Sequence, residues 1–252
     1  IDITGAYLEC ELPEGDEVLM RLDPLVVELL LKLDPTAQNY VQDNGSMTVR
    51  LKRALYGCVQ SARLWFEKLK SVLEGLGFTV NQYDMCVFNK MVDGKQLSVV
   101  FHVDDLLVTS ENQADIDDMI TKLTAAFSGV TAVRGAKHSY LAMNLELGDD
   151  YYSLDMKGYL QKMLKDRKVR GASTPASANL CKDPVDSPLL DQEAQKIFHS
   201  DVATILFIAK RVRMQCLTAV SVLASRVKIA TEADRAKLDR VFGYLSETED
   251  AI

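Results

Sequence analysis

The stretch Val99-Val100-Phe101-His102-Val103-Asp104-Asp105-Leu106-Leu107-Val108 sets two adjacent acids inside an apolar, β-branched and aromatic run. Burying neighbouring carboxylates among such residues costs several kcal/mol per ion unless a proton or cation neutralises them. At a turn between two strands both side chains can instead leave the sheet and take a divalent cation, whose charge offsets their repulsion. The pattern predicts strand, tight turn and strand, with Asp104 and Asp105 as candidate metal ligands. A second pair, Asp149-Asp150, follows Gly148 in a polar stretch, and a solvated turn accounts for it fully.

Working outward, residues 85–92 and 97–103 read as strands joined through Asp93-Gly94, a dipeptide suited to a tight hairpin, and 106–109 as the strand after the acid turn. Upstream, Trp65, Leu69, Val72, Leu73 and Leu76 recur at helical spacing, which predicts a helix over 62–76 that stops near Gly75 and Gly77. Downstream, Ser110-x-x-Gln113 resembles a capping box that opens a helix with Ile116, Met119, Ile120, Leu123 and Phe127 on one face. A further hairpin is expected from 140–147 and 151–154 around Gly148-Asp149-Asp150. Pro175, Pro184 and Pro188 punctuate a Ser-, Thr- and Ala-rich segment that reads as a linker or long surface loop, and 200–228 and 231–245 read as helical. The expected fold class is α+β, followed by a helical region.

The chain has 252 residues, 48% of them hydrophobic and 26% charged, which suits an ordinary globular protein with a sizeable core. Its first residues are Ile1-Asp2 rather than methionine, so we expect a piece of something longer. No basic, apolar leader opens it, and the apolar run over 25–31 is broken by Glu28, so no membrane association is expected. Cys10, Cys58, Cys86, Cys181 and Cys216 are scattered without a Cys-x-x-Cys pair, which favours reduced thiols over a zinc site. The sequence contains no Walker A loop and no Gly-x-Gly-x-x-Gly fingerprint, and three dispersed histidines support no nucleophilic triad.

Net charge is −7, so bulk electrostatics do not mark a nucleic-acid binder. Its distribution is more telling: Lys162, Lys165, Arg167, Lys168 and Arg170 crowd around one acid, Asp166, and Lys210, Arg211 and Arg213 form a second knot. Each cluster by itself is as well explained by a solvated helix face. For a third metal ligand, Asp2 is the candidate, because a hard cation prefers an octahedron of oxygens and Ile1-Asp2-Ile3 runs into a Gly-Ala-aromatic turn.

Together, Asp2-Ile3-Thr4-Gly5-Ala6-Tyr7-Leu8, Leu51-Lys52-Arg53-Ala54-Leu55-Tyr56-Gly57, Gln60-Ser61-Ala62-Arg63-Leu64-Trp65-Phe66 and His102-Val103-Asp104-Asp105 resemble the reverse transcriptase of copia-type retrotransposons in motif, order and spacing. Asp84-Met85-Cys86-Val87-Phe88, Gly158-Tyr159-Leu160 and Ser173-Thr174-Pro175 also fall where that family has similar blocks. The resemblance implies a right-hand polymerase palm lacking most of the fingers. It implies an RNA-directed DNA polymerase core with partial fingers over 1–130, a primer-grip-like hairpin and thumb-like helix over 131–170, a linker over 171–190 and a connection-like helical region over 191–252. Asp2, Asp104 and Asp105, with the carbonyl of Ile3, would hold two magnesium ions. Tyr7 would exclude a ribose 2′-hydroxyl, Tyr56 and Gly57 would line the nucleotide pocket, and Lys162, Lys165, Arg167, Lys168 and Arg170 would meet duplex phosphates. Trp65 and Arg63 are assigned structural jobs in their helix, with Arg63 ion-paired. The implied partners are an RNA or DNA template with its primer, deoxynucleoside triphosphates, and the integrase and ribonuclease H of a Pol polyprotein, in the cytoplasm within virus-like particles.

Several positions depart from that pattern: His102 replaces a tyrosine, Val59 a lysine, Ala62 a proline, Ala142 a glycine and Met214-Gln215 a Pro-Asp pair. None removes an expected metal ligand. Two other readings compete with this one. A receiver-like phosphotransfer domain would need its acid pair at the end of an early strand in a β-α series, which this order does not provide. A catalytically inactive nucleic-acid- or protein-binding remnant of the same fold would keep the architecture without turnover.

Overall fold

A computed structural model describes residues 1–182 and 186–249; Pro184, expected to punctuate the long loop, lies outside them. The chain divides into two compact units, Ile1–Val133 and Arg134–Ile252, each with its own core.

The first unit opens with β1 (Asp2–Ile3) and a single 3-10 turn, then β2 (Leu19–Leu22), α1 (Pro24–Leu33) and β3 (Met47–Arg50). Helix α1 begins where Asp23 accepts from the amides of Leu25 and Val26 at 2.9 and 3.1 Å, with Pro24 supplying the fixed φ of a first turn. Sequence reading did not foresee α1. Next come α2 (Ser61–Gly75), β4 (Thr79–Val80), β5 (Val87–Val92), β6 (Lys95–His102), β7 (Asp105–Thr109), α3 (Gln113–Ala126) and β8 (Val130–Thr131). Six of these strands form an antiparallel sheet in the order β4-β5-β6-β7-β1-β8, while β2 and β3 pair as a separate ribbon.

The sheet's two faces differ by alternation. In β6, Leu97, Val99 and Phe101 are buried with Ile3, Phe88 and Leu106 under Trp65, Leu69 and Leu73 of α2 and Met119 and Leu123 of α3. The opposite face carries His102, Asp105 and Asp2. Asp93 and Gly94 both take positive φ, 49° and 80°, the tight hairpin their sequence predicts. Ser110 does not cap α3: its hydroxyl accepts from the Asn112 amide, and Asn112 is the cap, accepting from Ala114. Asn112 stands directly before the helix, so its side-chain oxygen reaches the amide that Ser110, two residues further out, cannot.

The second unit contains β9 (Lys137–Tyr140), β10 (Met143–Leu147) and β11 (Tyr152–Asp155) in the order β11-β10-β9, followed by α4 (Lys157–Leu164), α5 (Gln192–Ala209), α6 (Leu217–Ala224) and α7 (Glu232–Glu247). The strand expected over 140–147 is in fact two, split by a two-residue turn at Leu141-Ala142 with φ of 50° and 66°. Alternation alone hides such a turn when neither residue is Gly or Asn. Ala142 is exposed and carries the left-handed cost. Ala142→Gly is therefore expected to raise stability by about 1 kcal/mol in urea unfolding.

Phe198, Val202, Ile205 and Ile208 of α5, Val220 and Leu223 of α6, and Leu238, Val241 and Phe242 of α7 form the second core. The start of the segment read as a linker is docked: a Cβ added at Gly243 would lie 2.1 Å from the carbonyl oxygen of Arg170 and 3.5 Å from the amide nitrogen of Ala172, so glycine permits this close approach. At the start of α7, Thr231 and Asp234 form a reciprocal capping box. Asp234 is fully buried; burial alone would raise its pKa, but hydrogen bonds from Arg226, Thr231 and Lys237 hold it below the usual carboxylate range. Because the folded value lies below the unfolded one, this stabilisation is present above pH 3.8 and is lost as pH falls through the folded value. Asp234→Asn is expected to flatten the acid limb of the stability curve, measured by urea midpoints between roughly pH 2 and 6.

Across the described residues, all-antiparallel pairing with packed helices bears out the α+β class. Among them no helix is long and apolar enough to cross a membrane.

Candidate active site

The acid turn is a two-residue hairpin. His102 pairs with Asp105, leaving Val103 and Asp104 as its central residues. On the other side of β7, Asp105 pairs with Asp2, and Asp2 in turn pairs with Thr131. Register thus lays His102, Asp105, Asp2 and Thr131 in one row across four strands. Leu106 donates to the carbonyl of Ile1 at 2.7 Å and Ile3 donates to the carbonyl of Asp104 at 3.0 Å, so Asp2 and Asp105 occupy a non-hydrogen-bonded pair, where Cα atoms sit roughly 4.5 Å apart.

All three acids are half-buried and lie away from the helix-packed core. Two carboxylates about 4 Å apart near a protein surface repel by about 4 kcal/mol, and Asp2 and Asp104 take separate donors. The Thr4 hydroxyl donates to Asp2 at 3.0 Å, and the Tyr56 hydroxyl donates to Asp104 at 3.0 Å. The three side chains consequently do not close into a cluster: among the described residues no group of three or more His, Cys, Asp or Glu side chains is gathered to hold a metal ion. What the sequence reading anticipated as a shared cage is, in this structure, a shared backbone platform. The donor set still fits a hard divalent cation, since all are oxygen ligands and two stand on directly paired positions.

Tyr7 is buried in a 3-10 turn (Ala6–Glu9) entered through Gly5 at φ 70°. Glu9 anchors this turn by accepting from the Ser128 amide at 2.9 Å and the Ser128 hydroxyl, while Lys68 donates to the Glu9 carbonyl. The Ser128 hydrogen bonds hold the Glu9 carboxyl below its usual range. Tyr56 lies on Tyr7 with ring centroids 4.4 Å apart and planes at 45°. Burial and the Asp104 carboxylate push the Tyr56 hydroxyl up to about 12, which keeps it a donor at neutral pH. Gly57 takes φ 99°, and a Cβ there would meet nothing within 4 Å. Its positive φ is a backbone conformation that glycine adopts at little cost.

Trp65 is the residue that sequence reading undervalued. It fits the apolar stripe as expected, and its indole N–H also donates to the carbonyl of Val103 at 2.7 Å, inside the acid turn. The available signal was that a buried indole N–H needs a partner. Arg63 is ion-paired as expected, with exposed Glu67 one helical turn on.

The basic cluster divides. Lys162, Lys165, Lys168 and Arg170 are exposed, but Arg167 is half-buried and engaged within its own unit. Its guanidinium makes a two-pronged pair with buried Asp201, donates from Nε to the Met163 carbonyl at 3.1 Å and lies 3.9 Å from the ring centroid of Phe242. We therefore correct the assignment of Arg167 to nucleic-acid contact: a lone buried carboxylate on α5 claims it. The second knot also divides: Lys210 is exposed, whereas buried Arg213 donates to the Thr248 carbonyl and half-buried Arg211 stacks 3.7 Å from Phe207.

Residues 1–180 match the family described as reverse transcriptase (RNA-dependent DNA polymerase). The chain is 23% identical to the Retrovirus-related Pol polyproteins from transposons RE2 and RE1 of Arabidopsis thaliana, over 99% and 98% of its length. It is 22% identical over 71% of its length to the corresponding polyprotein from transposon TNT 1-94 of Nicotiana tabacum. It spans 16% of the length of the two Arabidopsis relatives and 14% of the tobacco one. No solved structure matches it.

Proposed function

Because this chain belongs to the reverse transcriptase (RNA-dependent DNA polymerase) family, we propose that it is the palm and thumb part of a retrotransposon Pol polyprotein and adds deoxynucleotides to a primer 3′-hydroxyl. The observation that carries this reading is the register that sets Asp2 opposite Asp105, with Asp104 next to it in the turn. Asp2, Asp104, Asp105 and the Ile3 carbonyl are the residues that would hold magnesium. When bound, two such ions supply charge neutralisation, a more acidic primer hydroxyl and stabilisation of the leaving pyrophosphate.

The chain's own residues position the rest. The carboxylates act as ligands and take no proton. Tyr56, protonated at neutral pH, donates to Asp104 and would orient it as a ligand. Tyr7, fixed by the Glu9 and Ser128 bonds and by the ring above it, presents a rigid wall against a ribose 2′-hydroxyl. Gly57 shapes the loop that carries Tyr56. In the second unit Lys162, Lys165, Lys168 and Arg170 offer exposed charge for duplex phosphates, an interaction that weakens with salt.

Primer extension on an RNA template with magnesium and deoxynucleotides tests the proposal. Extended product that depends on Asp104 supports it. Template-primer binding without any extension, unchanged on Asp104→Asn, overturns it.

A further inference from the structure

Val103 has φ 57°, a left-handed conformation that a β-branched residue rarely adopts. Such a backbone persists only where its surroundings hold it. Asp104 and Asp105 follow directly, so relaxation of Val103 to an ordinary φ would turn both acids away from the row they share with Asp2. The Val103 carbonyl accepts the Trp65 indole N–H at 2.7 Å. Trp65 is 1% exposed and wedged against Phe127, with ring centroids 5.3 Å apart, so its N–H has a fixed direction and no access to water. Releasing Val103 would therefore both relax the turn and orphan a buried donor.

We infer that Trp65 is a positioning residue: its indole N–H, fixed from the core side of the sheet, keeps Val103 left-handed and thereby sets the direction of Asp104 and Asp105 on the opposite face. The consequence for metal affinity rests on the polymerase reading above, but the consequence for the turn does not. Trp65 is the single tryptophan of the chain, so its replacement is specific to this contact.

The test uses the full chain with Trp65 replaced biosynthetically by benzothienylalanine, which preserves ring shape but lacks the N–H, alongside Trp65→Phe and Trp65→Phe with Val103→Gly. Two quantities are read. Hydrogen exchange at the Ile3 amide, which donates to the Asp104 carbonyl, reports the turn without any metal; Mn2+ titration reports the acids. The analogue is expected to speed Ile3 exchange about tenfold while amides in α3 stay protected, and to weaken Mn2+ binding by a similar factor. Val103→Gly is expected to restore much of both losses, since glycine takes the left-handed conformation at little cost. Unchanged Ile3 exchange in the analogue, or equal loosening of Ile3 and the α3 amides, would overturn the inference. So would failure of Val103→Gly to rescue. Should the unaltered protein bind no Mn2+, the metal reading fails while the exchange measurement still decides the role of Trp65.

Discussion

Asp104→Asn is expected to lower primer extension by about three orders of magnitude while leaving the urea midpoint nearly unchanged. The size follows from what the carboxylate would do: a metal that stabilises transition-state charge is worth several kcal/mol, and ~4 kcal/mol corresponds to about 10³ in rate. The stability follows from what Asp104 does in the fold. It is half-buried at a turn, its side chain accepts one hydrogen bond from Tyr56, and asparagine's carbonyl oxygen can still accept that bond. Asn also removes a negative charge next to Asp105 and so relieves repulsion. Loss of activity with retained fold distinguishes a ligand from a structural acid; comparable loss of both would place Asp104 among the residues that merely hold the turn.

Arg167→Ala is expected to cost about 3–5 kcal/mol in folding free energy, because it leaves Asp201 buried without its cation. The same change removes the stack on Phe242, which lies at the centre of the second core. Denaturant unfolding measures this directly. Asp201→Leu combined with Arg167→Met, which replaces both charged groups by apolar ones, is expected to recover most of the loss, since an apolar replacement of a buried pair is often neutral. In template-primer binding the pattern is reversed: replacing exposed Lys165 and Lys168 is expected to reduce the slope of log affinity against log salt by about one per residue, with little change in stability. A basic cluster that looks uniform in sequence thus separates into one structural cation and four exposed ones.

Legibility varied by the kind of signal. Strand β6 and its Asp93-Gly94 turn were readable because alternation and Asp-Gly chemistry are local, and helix α2 because its apolar stripe has a clear period; the acid turn falls one residue earlier than expected, on Val103-Asp104, with Asp105 already paired in β7. The split between β9 and β10 was not, since Leu141 and Ala142 adopt left-handed backbone without the residues that usually announce it. The cap of α3 was displaced by two residues because serine and asparagine compete for the same role and only geometry decides between them. Arg167 was misread because its partner, Asp201, is 34 residues away, and no local pattern couples them.

The amino-acid sequence by itself determined the family, the strand-turn-strand around Asp104 and Asp105, and which acids were worth pairing, because these rest on short-range periodicity and on residue types in a fixed order. Only the tertiary structure decided which acids face each other, which donor each one takes, which arginine is consumed in a core and which carbonyl the single indole holds. Those outcomes depend on register between strands distant in the chain and on the cost of leaving a buried charge or donor without a partner, quantities that belong to the folded packing and not to any local stretch of residues.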